Sequence, residues 1–220
     1  MLKNIIKILI IFILGMGGGI FADQIFRIYF PVEQSVYVTE RKEVFIRENT
    51  ALENAVEKAE KAVIGIRTKI ESGEVLEGSG LVVTSDGLVV TLANLVPQGS
   101  IFSFYINGSS TSYQILKRDL QENLALIKIG RNNLNTLIFA DLEKIKLGER
   151  VFLVGAGAVN EGIIRNFDEN LIGTNIFEKI IFSGTPLFNI EGEVLGVNTI
   201  SDEGRVLTIP VSKIKTFIGL

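Results

Sequence analysis

The chain has 220 residues, with 22 basic and 25 acidic side chains for a formal charge of −3, and it contains no His, Cys or Trp. Those absences exclude disulfides, thiolate nucleophiles, iron–sulfur clusters and Cys-ligated zinc, and they remove the usual imidazole base and the commonest metal ligand. The slightly acidic balance lacks the basic footprint that phosphate backbones select for, which argues against nucleic acid as a partner, while 47% apolar residues with only 4 Pro indicate a folded core of one or two domains.

Residues Ile5 to Ala22 read IIKILIIFILGMGGGIFA, an 18-residue stretch broken only by Lys7 and close to a bilayer span. A cleaved signal peptide also begins basic and continues apolar, with Ala22 as the small residue at the cut. The uncleaved anchor is the favoured reading: the position three before that cut would hold Ile20 rather than a small residue, and Ile25, Phe26, Ile28, Tyr29 and Phe30 extend the apolar surface toward the interface. Lys3 precedes the run and Lys7 lies near its start, so the N-terminus is expected in the cytoplasm and the main domain outside it. A chain without Cys folds there independently of oxidative machinery.

Between Pro31 and Asn49 the composition turns mixed and charged, which reads as a spacer. Thr50-Ala-Leu-Glu53 then fits a capping box, and Leu52, Ala55, Val56 and Ala59 recur at helical spacing, so a short amphipathic helix is expected to run to about Lys61 on the outside of the domain.

From Ala62 onward short runs rich in Val, Ile, Phe and Leu follow one another: AVIGIRT, SGLVVT, LVVTLA, IFSFYI, SYQILK, LALIKI, VFLVGA, GIIRNF, LIGTNI, EVLGVNTI and RVLTIP. Such spacing is the signature of a barrel or sandwich. Asp86-Gly87, Asn107-Gly108 and Glu191-Gly192 lie between runs and read as hairpin turns. The final VSKIKTFIGL reads as a closing helix. Gly155-Ala156-Gly157 lacks the third glycine and following helix of a nucleotide loop. Asp141, Glu143, Glu149, Asp168 and Glu169 form neither a calcium loop nor a paired-acid site, so no metal and no cofactor is expected.

The segments GSGLVVTSDGLVVTLANLV, NLALIKI, FSGTPLFNIEGEVLGVNTI and VLTIPVSKI, in that order, resemble the protease domain of the HtrA/Deg family of chymotrypsin-like serine proteases. The resemblance implies an all-β, chymotrypsin-like double β-barrel, preceded here by a transmembrane helix and joined by short flanking helices. The expected organisation is an anchor at 1–30, a spacer and short helix at 31–61, and the protease-like domain at 62–220, with barrels at 62–135 and 145–210 and the active site in the cleft between them. The family's C-terminal PDZ module finds no counterpart in this sequence.

Carried over residue by residue, the resemblance implies a degenerate triad. The family's T-x-x-H-V ends on the general base, and Thr91-Leu92-Ala93-Asn94-Leu95 has Asn94 there. The family's D-L-A-x-L supplies the acid, and Asn123-Leu124-Ala125-Leu126 has Asn123. The nucleophile loop G-N-S-G-G-P-L is read as Ile181-Phe182-Ser183-Gly184-Thr185-Pro186-Leu187, which keeps Ser183. Serine catalysis needs a base that takes the hydroxyl proton and returns it to the leaving amine, and an amide does neither. The oxyanion hole uses the amides of the nucleophile and of the Gly two positions earlier, and β-branched Ile181 disfavours that geometry. A Ser–Lys dyad would need Lys117, Lys128 or Lys179 beside Ser183, and Glu122 as a displaced acid would face the wrong side of its strand.

Three functions compete on this reading. The leading one is a membrane-anchored, protease-dead homologue (a pseudoprotease) that binds extended or unfolded polypeptide or an envelope protein, with Thr199, Ile200 and Ser201 as the peptide-pairing edge and homo-oligomers in keeping with the family. The second is a slow or unconventional serine endopeptidase using Ser183. The third is a structural role, in which apolar side chains such as Phe182 fill the cleft.

Overall fold

The computed structural model describes the backbone of residues 2–29, 50–106 and 108–220 and, within the first of these, the side chains of all but Leu2, Asn4, Ile8, Ile20 and residues 23–29. The spacer expected at 31–49 and the Asn107 half of one expected turn lie outside the described residues. The chain forms two units, 1–47 and 48–220.

In the first unit, α1 (Leu2–Tyr29) contains the whole Ile5–Ala22 run and has apolar residues around its full circumference. Among the described residues no helix is long and apolar enough to cross a membrane, so the span expected here rests on the sequence alone.

The second unit opens with α2 (50–60). Its periodic residues do not lie on the outside of the domain as the spacing alone suggested. Ala55 and Ala59 are buried, with Leu52 and Val56 packed beside them, in a core that also takes Leu81, Leu92 and Leu124 from one sheet and Phe152, Phe188 and Ile209 from the other. The two sheets are apolar where they face each other, and the short alanine side chains let the helix close over that seam. Phe152 and Phe188 stack there with ring centroids 5.1 Å apart.

The first sheet contains β1 (Val63–Lys69), β2 (Val75–Val82), β3 (Leu88–Leu92), β4 (Ile101–Ile106), β5 (Ser109–Thr111), β6 (Tyr113–Asp119) and β7 (Leu124–Ile129), in the order β5-β4-β1-β2-β3-β7-β6. On β1, Ile64, Ile66 and Thr68 face the core while Gly65, Arg67 and Lys69 face outward, the period of two that the sequence displays. The ladder is an open half-barrel rather than the closed barrel expected. β5 is short and polar and pairs with β4 alone, so the curl is completed by side chains: Tyr113 of β6 packs on Phe104 and Phe102 of β4 at 4.8 and 5.9 Å.

The second sheet is a closed six-stranded barrel made of β8 (Arg150–Gly155), β9 (Ala158–Phe167), β10 (Ile172–Phe177), β11 (Pro186–Asn189), β12 (Val194–Ile200) and β13 (Arg205–Pro210), in the order β10-β13-β12-β11-β8-β9. α3 (Val211–Ile218) follows at once and ends on Gly219 in the left-handed conformation, φ 86°. Half-barrel and barrel together match a chymotrypsin-like double barrel.

The β8–β9 hairpin turns through Ala156 and Gly157 with φ of 49° and 77°. Two positive φ values describe a type I′ turn, for which Asn-Gly is the preferred pair and Ala is strained by about 1 kcal/mol. Ala156→Asn should therefore raise the melting temperature by roughly 2–4 °C in a scanning-calorimetry comparison.

Candidate active-site cleft

Ser183 follows a single 3-10 turn, Ile180–Phe182, that leads out of β10. Phe182 N–H donates to Lys179 O and Ser183 N–H donates to Ile180 O, each at 2.9 Å. On the other side Ser79 N–H of β2 donates to Ser183 O at 2.9 Å, and Gly184 N–H donates to Asn198 O of β12 at 2.8 Å. The loop is thus stitched to both sheets by its main chain.

Ser183 is buried at 2% exposure, and its hydroxyl makes no hydrogen bond to any described residue, unlike a turn hydroxyl satisfied by nearby backbone. Ile181 and Phe182 pack against the second barrel's core, Phe182 being 6% exposed. An oxyanion pocket needs the amides of Ser183 and of residue 181 both aimed into the cleft. In this turn the Ser183 amide is aimed at Ile180 O.

Asn123 sits in the left-handed region at φ 52°, a conformation Asn tolerates, just after a turn in which the Asp119 carboxylate accepts from Gln121 and Glu122 N–H at 3.0 Å. Its main-chain oxygen accepts from Ala93 N–H at 3.1 Å and its side-chain Oδ1 accepts from Asn94 N–H at 3.0 Å. Asn123 therefore holds the backbone of residue 94, while the Asn94 side chain is exposed and makes no hydrogen bond to a described residue. The two segments meet across β2: a Cβ on Gly78 would lie 2.5 Å from Leu95 Cδ1, next to Asn94, and 2.7 Å from Ser183 O. The segment of Asn94 and Asn123 and the Ser183 loop thus approach each other across Gly78, and none of these three side chains takes a proton from a hydroxyl at neutral pH.

None of the alternative bases makes a hydrogen bond to Ser183 among the described residues. Lys117 Nζ donates to Phe217 O at 3.1 Å and Lys128 pairs with Asp86 at 2.6 Å. Lys179 stands at the start of the turn before Ser183 without a side-chain capping hydrogen bond, and the Glu122 carboxylate is tied to Lys213 of α3. The hydrogen bond from Lys128, with help from the Thr84 hydroxyl, holds the Asp86 carboxyl below its usual range, and the amides of Leu171 and Asn170 do the same for Asp168. Both carboxylates are on exposed turns. Among the described residues no group of three or more acidic side chains is placed to hold a metal ion.

The edge expected at Thr199, Ile200 and Ser201 reduces to one residue. Ser201 N–H donates to Arg205 O at 3.0 Å, whereas Asn198 N–H donates the other way, to Thr185 O at 2.8 Å. Antiparallel pairing alternates, so Thr199 and Ser201 turn their main-chain groups toward β13 and Ile200 turns its own away. β11 has ended opposite Val197. The N–H and C=O of Ile200 are therefore left for an added strand.

A network that sequence reasoning missed lies beneath the loop. The Asn198 side chain donates to Thr185 Oγ1 at 3.1 Å, accepts from Thr208 Oγ1 at 2.6 Å, and Thr185 Oγ1 donates to Phe182 O at 2.7 Å, all fully buried. Its signal was an Asn inside the otherwise β-forming run VLGVNTI, where Asn is disfavoured unless its amide is used. Beside Ile181 a cavity of about 280 Å³ opens between Glu77 and Ser79 of β2 and Ala156 of the β8–β9 turn.

The model of the trypsin-like peptidase domain matches residues 78–197 of this chain. Over 164 residues, 64% of this chain, the sequence is 31% identical to a probable periplasmic serine endoprotease DegP-like from Rhizobium meliloti (strain 1021), covering 32% of that protein. It is 33% identical over 165 residues to serine protease HTRA1A from Danio rerio, covering 66% of this chain and 34% of the relative. A DegP-like protein from Halomonas elongata is 30% identical over 136 residues, 56% of this chain and 29% of its own length. The match spans about a third of the length of these curated relatives.

Proposed function

The chain belongs to the trypsin-like peptidase family and carries an HtrA-type serine protease domain, and from that premise we propose that it is a membrane-anchored pseudoprotease that holds extended or unfolded polypeptide, or a partner protein, in the cell envelope without cutting it. The observation that carries inactivity is the hydrogen bond from Ser183 N–H to Ile180 O: with amides at positions 94 and 123, residual catalysis would depend on an oxyanion hole, and that donor is already engaged. Binding is supported by the main-chain groups of Ile200, which face away from β13 past the end of β11, since strand addition uses backbone pairing and needs no triad.

The anchor is supported by the apolar run Ile5–Ala22 of α1, broken only by Lys7, and by Gly17, Gly18 and Gly19, which stay helical. Glycine runs are costly in a helix in water and common in membrane spans. The DegP-like relatives are named periplasmic, in keeping with a domain beyond the membrane. The full chain should stay in the membrane pellet after alkaline carbonate extraction, and its release to the supernatant would remove the anchor.

The reading is tested on the detergent-solubilised chain with reduced, carbamidomethylated lysozyme, a basic polypeptide that cannot refold. Binding by fluorescence anisotropy, no turnover of casein and no labelling by a fluorophosphonate probe are expected. One observation favours slow hydrolysis instead, the unbonded Ser183 hydroxyl, and labelling abolished by Ser183→Ala would establish that reading.

A further inference from the structure

The Ser183 loop occupies one end of the closed barrel: it follows the last residues of β10, where Arg205 at the start of β13 pairs with Phe177. At the other end β9 turns into β10 through residues 168–171, and β13 runs into α3 at Pro210. β10 has six residues at about 3.3 Å each, so the two ends lie roughly 17 Å apart along it.

A pocket of about 340 Å³ opens at that far end, between the β9–β10 turn, the start of α3 and the segment around the 3-10 turn Leu142–Lys144. Its wall is apolar, made by Leu142, Ile145, Phe167, Ile172 and Pro210. Leu142 and Ile145 pack on the barrel core and Ile172 is part of it, so the wall is held in place from behind. Phe167 and Leu171, on either side of the turn, are exposed. The volume falls in the range of roughly 300–1,000 Å³ in which proteins hold ligands and inserted side chains.

Every charged residue on the lining is acidic: Glu143, Asp168 and Glu169. Asp168 is used by the turn itself, its carboxylate accepting from Asn170 N–H at 2.7 Å and Leu171 N–H at 2.9 Å. Glu143 and Glu169 are exposed and make no ion pair with a described residue. The neighbouring bases are engaged elsewhere, Lys144 with Asp141 at 3.0 Å and Lys213 with Glu122. An apolar hollow rimmed by charge of one sign is complementary to an apolar group carrying the opposite charge, and the same carboxylates repel anionic lipid and nucleic acid.

We propose that this pocket is a docking site for a partner protein, which inserts an apolar side chain flanked by Lys or Arg while Glu143 and Glu169 receive the cations. A protein segment fits better than a small molecule because the apolar surface continues past the rim onto Phe167 and Leu171, and because the two free carboxylates stand on separate segments and call for two cations. The site is separate from the strand pairing at Ile200 and does not depend on it.

The test titrates the full chain, solubilised in a non-ionic detergent, against a labelled peptide KKFLKK by fluorescence anisotropy, with EEFLEE and KKAAKK as controls. KKFLKK should bind with a dissociation constant on the order of 10 µM, and both controls at least about tenfold more weakly. Ser212→Trp fills the pocket from an exposed position on its wall, and should weaken KKFLKK at least about tenfold with an unchanged melting temperature. Glu143→Lys combined with Glu169→Lys should weaken it as well, leaving the apolar wall intact, and abolish the loss of affinity with added salt. A parent chain that does not bind, equal affinity for KKFLKK and EEFLEE, or equal affinity of parent and Ser212→Trp would overturn the proposal. Should Ser212→Trp melt early, undiminished affinity of the charge-reversed variant would overturn it instead. A dimer of the parent that Ser212→Trp disperses would make the occupant a second copy and overturn the partner assignment. Each of these outcomes leaves lysozyme binding, and with it the polypeptide-binding reading, to its own experiment.

Discussion

Asn94→His combined with Asn123→Asp should leave casein hydrolysis at the background of the unaltered chain, although it restores both missing polar partners of Ser183. The Asp carboxylate would still accept from the residue-94 amide, as Asn123 Oδ1 does at 3.0 Å, and the new imidazole would stand on the segment that meets Ser183 across Gly78. A base without an oxyanion pocket leaves the tetrahedral intermediate's charge unsolvated, and a single donor to it is worth roughly 10²–10³ in rate. The Ser183 amide remains bonded to Ile180 O while Ile181 and Phe182 hold the turn in the second barrel's core. Adding Ile181→Gly and Phe182→Asn releases that turn, and the fourfold variant should show hydrolysis at least about 10²-fold above the double variant. Equal rates in the two would mean that the turn is not what blocks the site. A double variant that already cuts casein well would mean that the hole exists in the parent.

Gly184→Ala is expected to be the most damaging single change near the cleft, lowering stability by about 3 kcal/mol or more, which corresponds to a fall of roughly 6–12 °C in melting temperature. Two costs add. Gly184 has φ of 81°, where an alanine Cβ is strained, and that Cβ would lie 2.0 Å from Ser79 O, 2.9 Å from Thr91 Oγ1 and 3.0 Å from Leu95 Cδ1. Ser79 O is itself fixed by the Thr91 hydroxyl at 2.6 Å, so the clash cannot be relieved without moving β2 or the Ser183 loop. Gly192→Ala supplies the contrast: its φ is 82°, but its Cβ would meet nothing closer than 3.4 Å, so only the conformational cost of about 1 kcal/mol applies. Thermal melts of the two variants should separate clearly, and similar values would show that the close approach of β2 to the loop is soft.

Much of this architecture was legible beforehand. The runs from AVIGIRT to RVLTIP each became a strand, because alternating or continuous β-branched residues leave the backbone little else to do. Asp86-Gly87 and Glu191-Gly192 became turns with φ of 100° and 82° at the glycines. β5 and β11 were not named among the runs: Ser109–Thr111 is polar and too short to show a pattern, and Pro186–Asn189 was absorbed into the nucleophile loop motif. Among the candidate site residues, Asn94, Asn123 and Ser183 are proposed from type and order, but that Asn123 binds the backbone of residue 94 has no trace in the sequence.

The chain's composition and local order alone determined that no imidazole or thiolate chemistry exists here, that the domain is built of strands, and that the candidate site residues are two amides and one hydroxyl, because these depend on which side chains are present and on their spacing. Tertiary structure alone decided which way the Ser183 amide points, which residue of Thr199–Ser201 keeps free main-chain groups, and that α2 belongs to the core between the sheets. Each of those is set by hydrogen bonds and contacts between segments tens of residues apart, as when Ser79 of one sheet binds Ser183 of the other, and no local pattern encodes the direction in which a main-chain N–H will find its acceptor.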